Sequence, residues 1–494
     1  MPTRRRPTGV AAGARFVGPL ITAASVLLAA CSLLPAGQGV PSEPDVPAAW
    51  SGPPPAAGTG ASAAWWQSFG DPQLIGLVAR SQQSNTDVLG AQAALRQARA
   101  LRDAAAAGLQ PTLSTSASAT HGTSGSQSTG NRFQVGLDAG WELDLFGVRR
   151  SALDGSEASA RASAANLGGL QVSIAAEVAL SYITLRSAQA RLAIASENLD
   201  TQLQTLQLTE WRAQAGLLST LEVEQSRAAA AQTQAQLPAL QTSIEQAAHA
   251  LAVLTGQPPG ALAGLVAQAA PVPRAAATLA LDIPAQTLRQ RPDVRAAEAQ
   301  VLAAQARVSQ ADAARYPNFR LGGSLGLNAL TLGGLGGSAL ATSLLASVSL
   351  PLWDGGAARA QVQAQQAALE QARASYRGTV LAALKDVEDA LVALRGDLQR
   401  AARLQQAADA AALAAELGRQ RFASGLVDFQ TVLETQRSQL GTQDSLASAR
   451  AEISADHVRL FKALGGGWRA DESVVTPPPT AATPRSTSPT PEPR

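Results

Sequence analysis

The chain has 494 residues, of which 15% are charged and 4% are aromatic, and its formal net charge is only +2. A charge so nearly balanced gives no electrostatic basis for nucleic-acid binding, which excludes that class of function. The length allows two or more ordinary domains. However, the small side chains of the helical segments favour one large elongated unit whose helices pack closely.

The N-terminal segment has the layout of a secretory signal peptide. A basic stretch at 4–6 precedes a mostly apolar run at 16–30, and the chain's only cysteine, Cys31, follows directly. The arrangement also resembles the lipobox of bacterial lipoproteins, which implies removal of residues 1–30 and lipidation of Cys31. Because Ser32 follows rather than aspartate, the resemblance implies an outer-membrane destination. The alternative is an ordinary signal peptide in which Cys31 has no role.

The first ordered helix is predicted to begin at Asp71. An aspartate followed by Pro72 is typical of an N-cap with proline at the first helical position. The helical pattern continues to about Gly108, with a break near Ser84.

Beyond this helix the period changes, and a β-hairpin is predicted at about 111–146. In its second strand the polar residues Gln134, Asp138 and Glu142 share one face. The other face is apolar and carries Phe133, Val135, Leu137, Ala139, Trp141, Leu143 and Leu145. A strand of about 10 residues has the length that crosses a bilayer. Alternation alone also fits a half-buried strand of a soluble sheet.

A second hairpin with the same alternation is predicted at about 317–353. Each chain therefore offers four apparent membrane strands. An open four-stranded sheet cannot sit in lipid with unpaired edges, so the strands must close against other copies of the chain. Three chains would give a barrel of about 12 strands.

Each hairpin is followed by a long Ala/Gln-rich helical run, at 151–256 and at 359–465. Each run reverses once, near Gly216 in the first and near Gly425 in the second, 209 positions apart. Landmarks upstream of the hairpins lie 206 positions apart, so the second copy carries three extra residues in its hairpin. The chain is thus an internal two-fold repeat.

The first helical run contains a seam of apolar residues spaced by seven. Its members are Val178, Leu185, Leu192, Leu199 and Leu206. This period predicts left-handed coiled-coil packing. The 64 residues from Ser151 to Gln214 would form a helix on the order of 95 Å long, which exceeds a bilayer. The helices must therefore project into an aqueous compartment, which for an outer-membrane protein is the periplasm.

Several segments together resemble the TolC-type outer membrane efflux proteins, in particular the lipoprotein branch that partners resistance-nodulation-division pumps. They are WWQSFGDPQL at 65–74, RPDVRAAE at 291–298 and LWDGG at 352–356, set within the duplicated helical hairpins. The resemblance covers roughly 31–468. It implies a homotrimer in which an outer-membrane β-barrel continues into a periplasmic α-helical barrel. It also implies a tip closed until a periplasmic adaptor protein and an inner-membrane pump engage it.

The resemblance divides the chain into six parts. These are a signal peptide (1–30), a lipidated tether with the start of an equatorial region (31–70), repeat 1 (71–256), an equatorial connector (257–290), repeat 2 (291–465) and a disordered Pro-rich tail (466–494).

The resemblance places a periplasmic gate at the second reversal, formed by Gln430, Glu434 and Arg437 with Asp428 beside them. In a trimer one carboxylate becomes a ring of three around the axis, which concentrates negative potential in a narrow lumen. Relatives often carry an apolar residue at the position of Gln430, so this chain departs from the family's apolar gate at that position. The alternative is that Glu434 and Arg437 are solvated charges on a helix face.

Both reversals are predicted to contact the adaptor. The residues concerned are Arg212, Gly216, Leu217, Arg421, Gly425 and Leu426. The alternative for the two glycines is that they only supply a positive φ at the turn.

No pattern of catalytic residues is present in the sequence. The three histidines stand alone, and the only cysteine is assigned to lipid, so we predict no enzyme activity, no metal and no cofactor. The predicted function is that of a passive, gated export conduit. The sequence leaves two alternatives, a periplasmic adaptor and a structural coiled-coil lipoprotein.

Overall fold

The computed structural model describes residues 64–122, 130–275, 288–337 and 340–468. The predicted signal peptide, Cys31 and most of the predicted tail lie outside the described residues.

The first helices begin and end where the sequence predicts. After a short 3-10 turn, α1 spans Pro72–Ser84 and α2 spans Thr86–Ala107. The Oδ1 atom of Asp71 accepts hydrogen bonds from the first backbone amides of α1, which satisfies donors that the helix itself cannot pair. Asn85 ends α1 and caps α2 in the same way, so the predicted start and break are confirmed.

The two β-hairpins form one antiparallel sheet. Its strands are β1 (Thr112–Gly122), β2 (Gly130–Leu143), β3 (Asn318–Ala329) and β4 (Leu340–Ser349), in the order β1-β2-β3-β4. The hairpins of the two repeats therefore join through β2 and β3, and the outer edges of β1 and β4 have no strand partner in the described chain.

The register of the sheet separates apolar and polar rows. One row across the strands contains Ala117, Val135, Leu327 and Leu340. A row on the opposite face contains Ser114, Asp138, Ser324 and Ser343. The apolar row stays open, since Val135 is 42% and Leu340 is 60% exposed. A soluble sheet would cover such a row with a core, so that alternative does not fit this chain.

Two helices of equal length follow the hairpins. They are α3 (Val148–Gln214) and α8 (Ala357–Ala423), each with 67 residues and with starts 209 positions apart. At 1.5 Å per residue each is about 100 Å long. Part of α3 is apolar enough to cross a membrane, but half of that stretch is buried by other elements of the chain. The apolar character of α3 is therefore explained by packing.

The return helices differ between the repeats. In repeat 1 the chain returns through α4 (Thr220–Gln234) and α5 (Gln236–Leu254), whereas in repeat 2 it returns through the single helix α9 (Phe429–Ala463). Between the repeats lie the short α6 (Ala263–Ala267) and then α7 (Pro292–Ala313). Helices α2 and α7 each have 22 residues and start 206 positions apart, in agreement with the offset in the sequence.

The main core lies where α1, α3, α5 and α9 meet. The ring of Trp65 stacks on Phe461 with centroids 5.2 Å apart, which explains the aromatic cluster at the start of the described chain. Val178 and Leu185 of the seam are fully buried. Alanines beside them, such as Ala179, are also fully buried and let the helices approach closely.

A buried arginine joins the second repeat to this region. Arg291 is 7% exposed, and its Nη1 atom donates to the carbonyl oxygens of Ala383 (3.2 Å) and Ala463 (2.7 Å). Its Nη2 atom pairs with Asp293 at 2.8 Å and Asp386 at 3.1 Å. Desolvation raises the pKa of Asp293, but the hydrogen bond and the positive charge of Arg291, together with backbone hydrogen bonds, outweigh it, so this pKa lies below its usual range. The RPD segment is thus a junction between α7, α8 and α9.

Candidate functional site at the helix reversals

The first reversal, between α3 and α4, is closed by backbone hydrogen bonds around Gly216. The amide of Leu217 donates to the carbonyl of Arg212 (2.8 Å), and the amide of Gly216 donates to Ala213 (3.0 Å). Gly216 has a φ of 74°, a left-handed conformation that glycine adopts without steric cost. Leu217 is 72% exposed.

The second reversal, between α8 and α9, has the same geometry. The amide of Leu426 donates to Arg421 (2.8 Å), the amide of Gly425 donates to Phe422 (2.9 Å), and Gly425 has a φ of 72°. Leu426 is 74% exposed. Both predicted glycines therefore have a backbone role, and the two predicted leucines lie at the surface of the described chain.

Asp428 caps helix α9. Its Oδ1 atom accepts hydrogen bonds from the backbone amide (2.9 Å) and the hydroxyl (2.6 Å) of Thr431, and these bonds lower the pKa of Asp428. Ser219 occupies the equivalent position in repeat 1 and caps α4 together with Glu222. The structure thus gives Asp428 a capping role, and its predicted part in the gate stays a prediction.

Arg212 connects the two reversals within one chain. Its Nη1 and Nη2 atoms donate to the carbonyl oxygens of Phe422 (2.9 Å) and Ala423 (2.7 Å), which end helix α8. The guanidinium carbon lies 4.6 Å from the centre of the Phe422 ring, a cation–π contact. A cation is also favoured at the negative end of a helix dipole. Sequence reasoning assigned Arg212 to the adaptor; in the structure its guanidinium group is engaged by its own chain.

A small apolar cluster, the tip cluster, stabilises the second reversal. It contains Ala229, Phe422, Phe429, Val432 and Leu433. Phe422 and Phe429 lie on either side of the turn with ring centroids 5.8 Å apart. The chain has only 8 phenylalanines, so two of them flanking one glycine was a signal that sequence reasoning missed. The equivalent positions in repeat 1 hold Ala213 and Thr220, so only the second turn has this aromatic pair.

The predicted gate residues Gln430, Glu434 and Arg437 share one exposed face of α9, which we call the gate face. Their spacing of four and three residues places them in one row along the helix. The opposite face of the same turns is buried and includes Val432 and Gln436. Within the described part of the chain, neither Glu434 nor Arg437 forms an ion pair.

Three carboxylates approach one another nearer the core. Oxygen atoms of Asp397, Glu452 and Asp456 lie within 4.8 Å. Arg459 donates to Glu452 and to Asp456 at 2.6 Å each, and Arg400 lies 3.6 Å from Asp397. Two guanidinium groups therefore supply the positive charge that a metal ion would bring. Burial raises the pKa of Asp456 to about 6.

The four-stranded sheet with an open apolar face, joined to two helical hairpins about 100 Å long, defines a class of membrane channel with a long helical extension. The chain belongs to the outer membrane efflux protein family, whose model matches residues 77–257 and 283–466.

Comparisons with individual proteins agree with this family. The chain is 32% identical to nodulation protein T of Rhizobium leguminosarum bv. viciae over 465 residues, covering 94% of each chain. It is 33% identical to the pyoverdine export outer membrane protein OpmQ of Pseudomonas putida over 421 residues, covering 82% of this chain and 88% of OpmQ. The solved structure of the outer-membrane channel OprN superposes with a TM-score of 0.81 at 36% identity, covering 88% and 99%. The protein is an outer-membrane channel component of an efflux system.

Proposed function

We propose that three copies of this chain form the channel. The observation that carries the proposal is the sheet itself, because β1 and β4 are open edges beside a face with exposed apolar side chains. In lipid each unpaired backbone group costs several kcal/mol, so the edges must pair with other copies. Three sheets give a closed barrel of about 12 strands, and the helices of repeats 1 and 2 continue it as a helical barrel through the periplasm.

The second reversal is proposed as the periplasmic gate. In a trimer the gate face of Gln430, Glu434 and Arg437 is repeated three times around the axis, with Asp428 at the N-terminus of the same helix. The exposed side chains, which have no ion-pair partner in the described part of their own chain, support this role. A ring of three Glu434 carboxylates in a narrow lumen would favour cations, and pairing of Glu434 with arginines of a neighbouring chain would hold the tip shut.

The proposed partners are a periplasmic adaptor protein and an inner-membrane pump of the resistance-nodulation-division type. Leu217 and Leu426 are exposed on the turns of Gly216 and Gly425. Each chain therefore has two apolar tips that an adaptor could contact. A lipid on Cys31 would add a second attachment to the outer membrane beside the barrel. The conduit itself is passive, and the pump supplies the energy.

The trimer is tested on the full-length protein extracted from outer membranes. We expect a band at three times the chain mass that converts to monomer on heating in detergent. A band at monomer mass before heating, together with a single-chain mass in light scattering, would contradict the proposal.

The adaptor contact is tested with Leu426→Asp in cells that depend on this efflux system. A charge on the apolar tip should restore drug sensitivity while trimers persist, whereas Leu426→Met keeps an apolar tip and should preserve resistance. Full resistance in the Leu426→Asp strain would remove Leu426 from the proposed contact.

A further inference from the structure

Within one chain, hydrogen bonds from the side chain of Arg212 join the two reversals. Arg212, near the end of α3, reaches across to the last carbonyl oxygens of α8, those of Phe422 and Ala423. These carbonyls belong to the last turn of α8, where the helix itself supplies no further amide donor, although the carbonyl of Phe422 also accepts the turn amide of Gly425 at 2.9 Å. The arginine therefore acts as a side-chain cap that joins repeat 1 to repeat 2.

The second repeat carries the same arginine in the same place. Arg421 lies 209 positions after Arg212, and each of the two precedes its left-handed glycine by four residues. The guanidinium group of Arg421 forms no hydrogen bond or ion pair with the part of its own chain that the structure describes, and the residue is exposed. Arg212 is thus bonded within its own chain, whereas the guanidinium group of Arg421 has no partner in the described part of that chain.

The end of α3 carries carbonyl oxygens that match those capped by Arg212. The positions equivalent to Phe422 and Ala423 are Ala213 and Gln214 at the end of α3. Ala213 accepts a turn amide just as Phe422 does, and no described side chain donates to the carbonyl of Ala213 or Gln214. The turn beyond them has the same φ and the same hydrogen-bond closure as the second reversal.

In a ring of three chains the repeats alternate, so every second junction between neighbouring repeats lies between chains. We propose that Arg421 caps the end of α3 in the adjacent copy, donating to the carbonyl oxygens of Ala213 and Gln214 there. This inference rests on the trimer proposed above. The closed tip is then held by six arginine caps, three within chains and three between them.

The two kinds of junction differ in one respect that affects opening. Arg212 lies over the ring of Phe422, whereas Arg421 would meet Ala213, which has no ring. The junction between chains lacks the cation–π contribution and is the weaker of the two. Opening of the tip therefore begins by separation of chains at Arg421, while the Arg212 junction keeps the two repeats of each chain together.

The test uses chemical cross-linking in the full-length protein, whose only native cysteine is the proposed lipidation site. The pair Arg421→Cys with Gln214→Cys, treated with a short bifunctional maleimide, should give covalent dimers and trimers that resist heating. The matched pair Arg212→Cys with Ala423→Cys should cross-link within one chain and stay at monomer mass. Each single substitution should give no covalent oligomer.

If the Arg421→Cys and Gln214→Cys pair stays monomeric after heating in samples whose unheated bands are trimers, the Arg421 cap is wrong and the trimer stands. If unheated samples of the unmodified protein contain no trimers, the proposed function fails and this inference falls with it. As a second readout, Arg421→Gln should raise the open probability of reconstituted channels about tenfold, the effect of losing a charge-assisted hydrogen bond. An unchanged open probability would also contradict the cap.

Discussion

Replacement of Arg212 by glutamine should loosen the second reversal without unfolding the rest of the chain. The substitution removes two hydrogen bonds from a charged donor, at 2.9 and 2.7 Å, and the contact 4.6 Å above the Phe422 ring. At a partly exposed site we take about 1 kcal/mol for each hydrogen bond and about 0.5 to 1 kcal/mol for the cation–π contact. The local opening free energy should fall by about 2.5 to 3 kcal/mol.

This loss corresponds to a rise of about 60- to 140-fold in the population of the open turn. Amide hydrogen exchange measured by mass spectrometry follows this population directly, because the amides of Ser424, Gly425 and Leu426 are protected by hydrogen bonds of the turn. Peptides that cover these amides should exchange faster by that factor, while peptides from the core around Trp65 should not change.

A matched control is Arg161→Gln, which removes only an exposed i,i+4 pair with Glu157 at 3.4 Å. That pair contributes less than about 0.5 kcal/mol, so exchange at the second reversal should be unaffected. Arg212→Lys keeps the charge but loses the forked donor geometry and should give an intermediate rate. A change of less than about threefold in Arg212→Gln would refute the idea that this arginine caps α8.

Three further predictions concern stability. Arg291→Met leaves two carboxylates and two carbonyls without their donor, and it should destabilise the fold by about 3 kcal/mol, seen as a lower thermal midpoint in circular dichroism. Gly168→Ala should destabilise by about 1 to 3 kcal/mol, because its Cβ would lie 2.2 Å from Nε1 of Trp468, whereas Gly90→Ala meets nothing within 4 Å and should be neutral or stabilising. The raised pKa of Asp456, about 6, means that the folded chain holds a proton that the unfolded chain releases between about pH 4 and pH 6. This contribution to stability is present at the lower pH and is lost as the pH rises through 6, so Asp456→Asn should remove that part of the pH dependence in denaturant titrations.

Local signals in the sequence were sufficient for most of the fold. The N-cap at Asp71, the break at Ser84 and the alternation around Asp138 are properties of short segments, and each of these predictions is confirmed. The duplicated offsets also identify α3 as the equivalent of α8, and the two helices have the same length.

The contacts at the tip could not be read in the same way. Arg212 contacts Phe422, which lies 210 positions later in the chain. The residues around Arg212 in the sequence do not distinguish an arginine that caps another helix from one that is a surface charge. The role of Asp428 was assigned from its position near the gate, but its capping of α9 follows from the backbone geometry of the turn. The Arg291 junction likewise depends on distant carbonyls, that of Ala383 within α8 and that of Ala463 at the end of α9.

We propose that this chain builds a channel whose periplasmic tip is closed at rest. Single-channel recording of the purified full-length protein in planar bilayers tests it most directly. The unmodified protein should be mostly closed, with brief openings, and Glu434→Gln combined with Arg437→Gln should increase the open time. Bilayers that stay silent with both proteins, or an unmodified channel that stays open and does not respond to these substitutions, would contradict it.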